Sequence, residues 1–313
     1  MKVLPTSMAL LMVVAMVLLA GCQSQQQQSG SPYLGGTTGL QFAFSPDAPP
    51  NEIYDSGGFP FDIDVIIKNI GEYTVPKEKA VIRIKGIYPQ DYGKTAQDLV
   101  KSPVDDLTGA KKDITGRTLP GIESHVTFEN LNYQGQISGT LINVLISAEA
   151  CYEYKTLTTV SLCIREDMRT NTAGVCTVTA PKTTYNSGAP IHIENFNEVA
   201  VSSNKISFTF DIVHKNNGKY FDPNSDCEEN FQNQDKVFVS IETGFADTQC
   251  SGLTGGDGKS GIVRVPAGKG SVRCTMTVDE TQKGDYEKPI TITTTYKYKD
   301  KIDKTIVLKH GGN

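Results

Sequence analysis

The chain has 313 residues, enough for about two domains that each bury a core of their own. Charged residues make up 21% of it and hydrophobic residues 38%, which is typical of a globular protein and not of a disordered or fibrous one. The formal charge of −5 argues against the basic surface that nucleic-acid binding requires.

Residues 1–21 have the pattern of a lipoprotein signal peptide. Lys2 supplies a positive charge, and residues 8–20 form an unbroken apolar run. That run is too short to span a bilayer, which needs roughly 20 apolar residues. The sequence Leu19-Ala20-Gly21-Cys22 that ends the segment looks like a lipobox. We therefore expect Cys22 to begin the mature protein and to carry a lipid on its thiol; the alternative is a signal peptide cut elsewhere, with Cys22 left as a free thiol.

Residues 22–38 are rich in Gln, Ser and Gly and poor in apolar side chains, which predicts a flexible tether. The body that follows contains an internal repeat. Residues 61–73 (FDIDVIIKNIGEY) recur as residues 208–220 (FTFDIVHKNNGKY), and Tyr-Glu-Tyr-Lys at 152–155 recurs as Tyr-Lys-Tyr-Lys at 296–299. The offsets of 147 and 144 are nearly equal, so the two halves stay in step, as tandem domains would.

In each copy of the repeat, apolar residues at every second position are followed by Lys-Asn-x-Gly-x-Tyr. The alternation predicts a half-buried strand, and the Asn and Gly predict the turn that ends it. We expect an immunoglobulin-like domain over residues 39–166, a linker over residues 167–175 and a second immunoglobulin-like domain over residues 176–313.

The remaining alternating segments predict six strands in the first domain and seven in the second, with at most one helix, over residues 95–101. The predicted strands of the first domain are 40–44, 61–68, 80–85, 122–129, 140–154 and 158–164. Those of the second are 176–180, 206–215, 236–242, 262–265, 271–278, 289–298 and 302–308. The sequence therefore predicts an all-β protein of two tandem immunoglobulin-like β-sandwiches.

Six cysteines remain after Cys22, an even number that favours disulfides in an exported chain: Cys151, Cys163, Cys176, Cys227, Cys250 and Cys274. A hairpin turning about Leu157 would place Cys151 opposite Cys163, and both thiols are missing together at the equivalent positions of the second domain. We therefore predict a Cys151–Cys163 bridge. The other four allow three pairings, of which Cys176–Cys227 with Cys250–Cys274 is favoured. The alternative, a zinc site, lacks any Cys-x-x-Cys spacing.

The oxygen-bearing side chains of Asp222, Asn224, Asp226 and Glu228 stand at alternate positions, as at the start of a calcium-binding loop. Cys227 replaces the glycine of such a loop, and Asn233 stands where its bidentate Glu should be. An acidic turn is therefore the preferred interpretation. Calcium is the alternative, and we expect no other cofactor.

Catalytic motifs are absent from the sequence. The four histidines (His125, His192, His214 and His310) are far apart and none has paired-ligand spacing. No serine lies in a Gly-x-Ser-x-Gly context. We therefore do not expect an enzyme.

The alternating strand, the Lys-Asn-x-Gly turn and the second strand after a short loop cover residues 61–85 and, more loosely, 208–242. This pattern resembles the CARDB-type immunoglobulin-like domains of prokaryotic surface proteins. The lipobox, the Cys-Tyr-x-Tyr segment at 151–154, the Ser-Gly-Ala-Pro segment at 187–190 and the cysteine-bearing second half are similar to those of uncharacterised exported proteins of small-genome archaea. The resemblance implies a fold and a location, and no catalytic residue.

The leading hypothesis is a protein anchored by its lipid to the outer face of the cytoplasmic membrane or to the cell surface. Its two disulfide-stapled domains would have a structural or adhesive role, or bind an unknown extracellular protein or glycan, and we expect no nucleic acid. The alternatives are a solute- or metal-binding lipoprotein that serves a transporter, and an accessory subunit of an envelope assembly. Such a subunit would show an exposed, unpaired strand.

Overall fold

The computed structural model describes residues 30–170 and 174–311. Tyr33–Asn313 form one compact unit. The predicted signal peptide and Cys22 lie outside the described residues. Among the residues that are described, there is no helix with the length and apolar character that crossing a bilayer requires.

Residues 30–170 contain nine strands joined by short turns. They are β1 (Leu40–Phe44), β2 (Glu52–Tyr54), β3 (Phe61–Asn69), β4 (Ala80–Lys85), β5 (Val100–Lys101), β6 (Lys111–Lys112), β7 (Thr118–Leu119), β8 (Glu123–Leu131) and β9 (Leu141–Ile164). The helical content here is three short 3-10 turns, at Lys77–Lys79, Pro89–Tyr92 and Gln97–Leu99.

Residues 174–311 contain nine further strands. They are β10 (Tyr185–Asn186), β11 (Ile191–Ser202), β12 (Lys205–His214), β13 (Lys219–Phe221), β14 (Lys236–Glu242), β15 (Thr248–Ser251), β16 (Ser260–Arg264), β17 (Lys269–Thr277) and β18 (Tyr286–Lys309). Two 3-10 turns, Pro266–Gly268 and Glu280–Gln282, complete this half.

The strands form one large sheet and two smaller ones that share its core. The large sheet has the order β16-β14-β18-β9-β4-β5, with β2, β10 and β13 attached to its two central strands. The smaller sheets have the orders β1-β3-β8 and β11-β12-β17-β15, and β6 pairs with β7 separately. One buried cluster contains side chains of the large sheet and of both smaller sheets, for example Tyr152 of β9, Ile63 of β3 and Phe208 of β12. The all-β, sandwich-type fold is confirmed.

The two longest strands, β9 and β18, join the halves of the molecule. They pair antiparallel without a break from Leu141 opposite Lys309 to Ile164 opposite Tyr286. Each has 24 residues, so the pair extends on the order of 80 Å if regular. The two copies of the repeat therefore share one sheet and one core, and the chain does not separate into two independent sandwiches at residues 167–175.

Four tyrosines occupy the centre of this strand pair. Tyr152 lies opposite Tyr298, and Tyr154 lies opposite Tyr296. All four side chains are at most 1% exposed and stand on the inner face of the sheet. Their rings are in mutual contact, with Tyr152 and Tyr298 centroids 5.8 Å apart and Tyr154 and Tyr296 centroids 6.5 Å apart. Burial raises the pKa of each hydroxyl above its ordinary value, so the four remain neutral donors.

The Lys-Asn-x-Gly-x-Tyr turns bind two of these hydroxyls. In the first copy, the Tyr73 amide donates to the Tyr154 hydroxyl at 3.4 Å, and in the second, the Gly218 amide donates to the Tyr298 hydroxyl at 3.0 Å. Glycine is needed at both turns: a Cβ on Gly71 would lie 2.0 Å from the Tyr154 hydroxyl, and one on Gly218 would lie 2.4 Å from the Tyr298 ring. In both copies, the turn at the end of the strand therefore packs against a central tyrosine and hydrogen-bonds to its hydroxyl.

Several expectations from the sequence are wrong. Residues 140–164 are not a hairpin about Leu157, and residues 289–308 are not two strands, because β9 and β18 each run through without a turn. No strand forms over residues 176–180 and no α-helix over residues 95–101. The sequence analysis predicts no strand where β11 lies. The alternation of apolar residues in β11 changes phase at an irregularity in register between Glu194 and Asn197, which hides the strand pattern.

The predicted tether also ends earlier than residue 38. The Leu34 and Gly35 amides both donate to the Glu72 carboxylate at 2.9 Å, and the Gly188 amide donates to it at 2.6 Å. Tyr33 adds a hydroxyl contact of 3.1 Å to Thr159. Residues 33–38 are therefore part of the body, held by one carboxylate that also binds the second half.

Replacing Gly71 by Ala should destabilise the protein. The new methyl would meet the Gly188 carbonyl at 2.5 Å as well as the tyrosine, and a backbone atom cannot swing aside. We expect a loss of roughly 2–3 kcal/mol and a Tm lower by about 5 °C in a thermal melt. The matched control is Gly58→Ala, because Gly58 is exposed and has nothing within 4 Å of the added Cβ. Equal melting temperatures for the two variants would contradict the close approach at Gly71.

Candidate functional site

The acidic loop after β13 is fixed to the outer face of the large sheet. Side chains alternate along β9, so Cys151 and Glu149 point away from the tyrosine core. Cys151 forms a disulfide with Cys227 of the loop, with a Cα–Cα distance of 6.0 Å. Phe221 is fully buried beside the bridge, and these three residues form a small core separate from the main one. The outer face therefore carries its own structured layer.

A groove of about 390 Å³ lies between this loop and the sheet. It runs beside the Cys227 bridge, and apart from that residue every side chain that lines it is charged. The sheet contributes Arg83, Lys85, Glu149 and Lys299, and the loop contributes Asp226, Glu228 and Glu229.

Glu229 lines the groove and is paired with two lysines of the sheet. Its carboxylate accepts hydrogen bonds from the Lys219 ammonium at 2.5 Å and from the Lys299 ammonium at 2.6 Å. Lys299 also lies 3.7 Å from the Glu149 carboxylate. The hydrogen bonds from Lys219 and Lys299 lower the pKa of Glu229 to about 2. This cluster links the loop to both β13 and β18.

Four other charged side chains line the rest of the groove. In the part of the chain that the structure describes, Arg83 and Lys85 of β4 form no ion pair, and neither do Asp226 and Glu228 of the loop. Two basic groups thus face the same groove as two acidic ones. Such a surface suits a partner that carries charges of both signs, with each exposed contact worth about 0–1 kcal/mol.

The four predicted calcium ligands do not meet at one point. Asp222 accepts a hydrogen bond from the Asn224 amide at 3.0 Å, and its other oxygen lies 3.6 Å from the Lys236 ammonium. Asp226 and Glu228 turn to the groove instead. Throughout residues 30–170 and 174–311, no three His, Cys, Asp or Glu side chains are placed to hold a metal ion.

All six cysteines of the body form disulfides, but two of the predicted pairings are wrong. Cys151 pairs with Cys227, Cys163 pairs with Cys176, and Cys250 pairs with Cys274 as favoured from the sequence. Cys151 and Cys163 lie twelve residues apart in one extended strand, which separates them by about 40 Å. Both cysteines are missing from the equivalent positions of the second half, but they belong to two different disulfides, Cys151–Cys227 and Cys163–Cys176.

The histidines do not come together in the structure. His125 contacts Asp64 at 2.7 Å, and His310 contacts Asp55 at 2.8 Å. His192 contacts the Gly36 carbonyl, and His214 contacts the Tyr298 hydroxyl, both at 3.0 Å. The hydrogen bond with Asp64 raises the pKa of His125, whereas burial lowers the pKa of His192 and of His214.

Sequence reasoning missed most of the groove. The sequence pattern points to Asp226 and Glu228 as possible calcium ligands, but it gives no sign that Arg83, Lys85, Glu149 and Lys299 belong to the same site. One sequence feature could have pointed to these residues. Charged residues occupy outward positions of strands whose inward positions are apolar, as Arg83 does between Ile82 and Ile84. That pattern by itself is typical of any solvated sheet face, so only the attached loop distinguishes this one.

Comparisons with known proteins identify no family. No protein-family model matches the chain, and no curated protein matches it. Among solved structures, a transglutaminase of red sea bream is 12% identical with a TM-score of 0.18, over 87% of this chain and 31% of that one. A partial N-terminal region of an enterococcal surface protein is 11% identical with a TM-score of 0.18, over 87% and 86%. This chain thus spans about a third of the transglutaminase chain, and neither likeness is strong enough to indicate function.

Removing the Cys151–Cys227 bridge should cost more than removing Cys250–Cys274. The first closes a loop with a sequence separation of 76 and the second one of 24. Chain entropy then predicts that the double alanine variant at 151 and 227 loses about 1 kcal/mol more free energy of unfolding than the variant at 250 and 274. Urea denaturation measures both. A smaller loss for the 151–227 variant would mean that the acidic loop is held by other contacts.

Glu229 should make the stability of the protein depend on acid pH. Because its pKa in the folded state is lowered to about 2 from the ordinary 4.5, its contribution is present above pH 4.5 and is lost as pH falls towards 2. In Glu229→Gln that contribution is absent, so the stability gap to the wild type should be widest near neutral pH, narrow below pH 4.5 and close near pH 2. Chemical denaturation at several pH values tests this. Glu228→Gln, which removes an unpaired neighbour, should follow the wild-type profile.

Proposed function

We propose that this protein is a lipid-anchored cell-surface protein with a structural or partner-binding role. The observation that carries the proposal is the set of three disulfides, Cys151–Cys227, Cys163–Cys176 and Cys250–Cys274, in a chain with a lipobox-like segment at residues 19–22. Disulfides persist in oxidising, extracytoplasmic compartments. Cys22 is then the residue that carries the lipid, and residues 23–32 connect it to the body.

The shared sheet supports a role in which rigidity matters. Both copies of the repeat are fixed by one uninterrupted pair of 24-residue strands, so the body acts as a single stiff unit and not as two domains on a hinge. The groove with Arg83, Lys85, Asp226 and Glu228 is the contact surface for an extracellular protein or glycan partner.

Anchoring can be tested at Cys22. In the native host, the wild type should fractionate with membranes and yield an N-terminal peptide that starts at lipid-modified Cys22, as measured by peptide mass spectrometry. The Cys22→Ser variant should lose the modification and leave the membrane fraction while it retains all three disulfides. Ser24→Ala, two residues away, should behave as the wild type. A wild-type chain that still begins at Met1, or free thiols in the body, would overturn the proposal.

A second candidate is a subunit of an envelope assembly. One observation favours it: the first residues of β9 have an edge that no other strand of the described chain covers.

A further inference from the structure

A small hairpin, formed by β6 and β7, stands apart from the three sheets of the body. In the described chain its two strands pair with each other and with no other strand, with Lys111 opposite Leu119. Residues 113–117 form the loop at its tip. The Asp113 carboxylate accepts hydrogen bonds from the Thr115 amide at 2.8 Å and from the Arg117 amide at 2.9 Å, so this loop has a defined shape.

The hairpin exposes apolar side chains to solvent. Ile114 at the tip is fully exposed (106%), and Leu119 is 52% exposed. The base of the hairpin continues this surface, because Ile122 and Ile70 are also exposed and the Ile122 carbonyl accepts a hydrogen bond from the Asn69 amide at 3.0 Å. A single exposed apolar residue is ordinary, but a group of them marks a surface that contacts something else.

The same hairpin is basic. Residues 111–119 contain Lys111, Lys112 and Arg117 against one acid, Asp113, so their net charge is 3 − 1 = +2 in a chain of charge −5. Asp113 is turned into the loop by its hydrogen bonds to the backbone. Among the residues that the structure describes, Lys111 and Arg117 form no ion pair. Positive charge therefore surrounds the exposed isoleucine.

The hairpin lies where the chain from Cys22 enters the body. The Lys112 ammonium donates a hydrogen bond to the carbonyl of Tyr33, the first residue of the compact unit, at 2.9 Å. Tyr33 follows Cys22 by 33 − 22 = 11 residues, and a chain of that length spans at most about 40 Å. A lipid on Cys22 would therefore keep this hairpin within reach of the bilayer surface.

We propose that the β6–β7 hairpin docks on the surface of an anionic lipid bilayer. Lys111 and Arg117 contact the charged headgroups, and Ile114 enters the boundary between headgroups and acyl chains. Basic side chains around an apolar tip have the chemistry of such an interface, and a basic patch beside a lipid anchor adds to its hold on the membrane. The choice of a bilayer as the partner rests on the proposed attachment at Cys22. The hairpin then gives the body a second point of contact, which orients it on the membrane.

Binding of the compact unit, residues 33–313 with its three disulfides, to lipid vesicles tests the proposal. The wild type should sediment with vesicles of mixed phosphatidylglycerol and phosphatidylcholine, should be released as the salt concentration is raised, and should not bind phosphatidylcholine alone. Ile114→Asp and Arg117→Glu should each weaken binding by about tenfold or more. Phe231→Asp places the same charge on an exposed apolar side chain of the acidic loop and should bind as the wild type.

A wild type that does not bind the anionic vesicles, or an Ile114→Asp variant that binds them equally well, would refute the hairpin as a docking site. Because residues 33–313 lack Cys22, this result does not depend on lipid attachment. A negative outcome here therefore differs from the loss of membrane fractionation that tests the anchor.

A label at the tip reports what the hairpin touches. Ile114→Cys, carrying an environment-sensitive fluorophore, should be quenched by vesicles that contain brominated phosphatidylglycerol, and the same label on Phe231→Cys should not. In native membranes, a photo-crosslinker on Ile114→Cys should form lipid adducts. An unquenched label, or cross-linking to a protein in place of lipid, would overturn the bilayer as the partner.

Discussion

The continuous pairing of β9 with β18 is the interaction on which the rest of the structure depends. Every residue from Leu141 to Ile164 has a partner on the opposite strand, and the smaller sheets of both halves pack on the face that this pair provides. At its centre, four buried tyrosines fill the space between the two repeats. Because buried aromatic side chains contribute strongly to core energetics, this cluster helps to keep the halves as one body.

The alternation of a strand gives this pair two different faces. Tyr152 and Tyr154 point to the core, whereas Glu149, Cys151 and Glu153 between and beside them point out. The inner face thus specifies the fold, and the outer face is free to carry charge. Glu153 lies opposite Lys297 at the middle of the pair, which places opposite charges together on the exposed side.

The disulfides fix peripheral segments to the long strands. The acidic loop has few apolar side chains, and Phe221 with the Cys151–Cys227 bridge supplies the small core that fixes it. Cys163–Cys176 ties the end of β9 to the segment that leads into the second half, and Cys250–Cys274 joins the edge strand β15 to β17. Each bridge is thus placed where peripheral chain meets a long strand. The first of these, together with the ion pairs of Glu229, holds the loop that lines the groove of mixed charge against the sheet.

The sequence by itself determined the local structure of this protein. Alternating apolar residues predicted β1, β4 and β14 with the bounds that the structure shows, and β3 to within one residue, because burial on one face requires that period. It also indicated the repeated Lys-Asn-x-Gly-x-Tyr turn and the set of bonded cysteines. These features depend on residues near each other in the chain.

Tertiary structure decided the features that depend on distant residues. Polar residues interrupt the apolar pattern near Leu157 and at residues 299–301, so the sequence predicts a turn at each place. Pairing between the two halves instead keeps β9 and β18 extended through both places. That continuity sets Cys151 and Cys163 far apart and assigns each a partner from another element. It also brings Arg83, Lys299 and the acidic loop into one groove, and in the described chain it leaves the first residues of β9 paired with β18 as their single strand neighbour. Contacts between residues so far apart in sequence leave no local pattern from which they could be predicted.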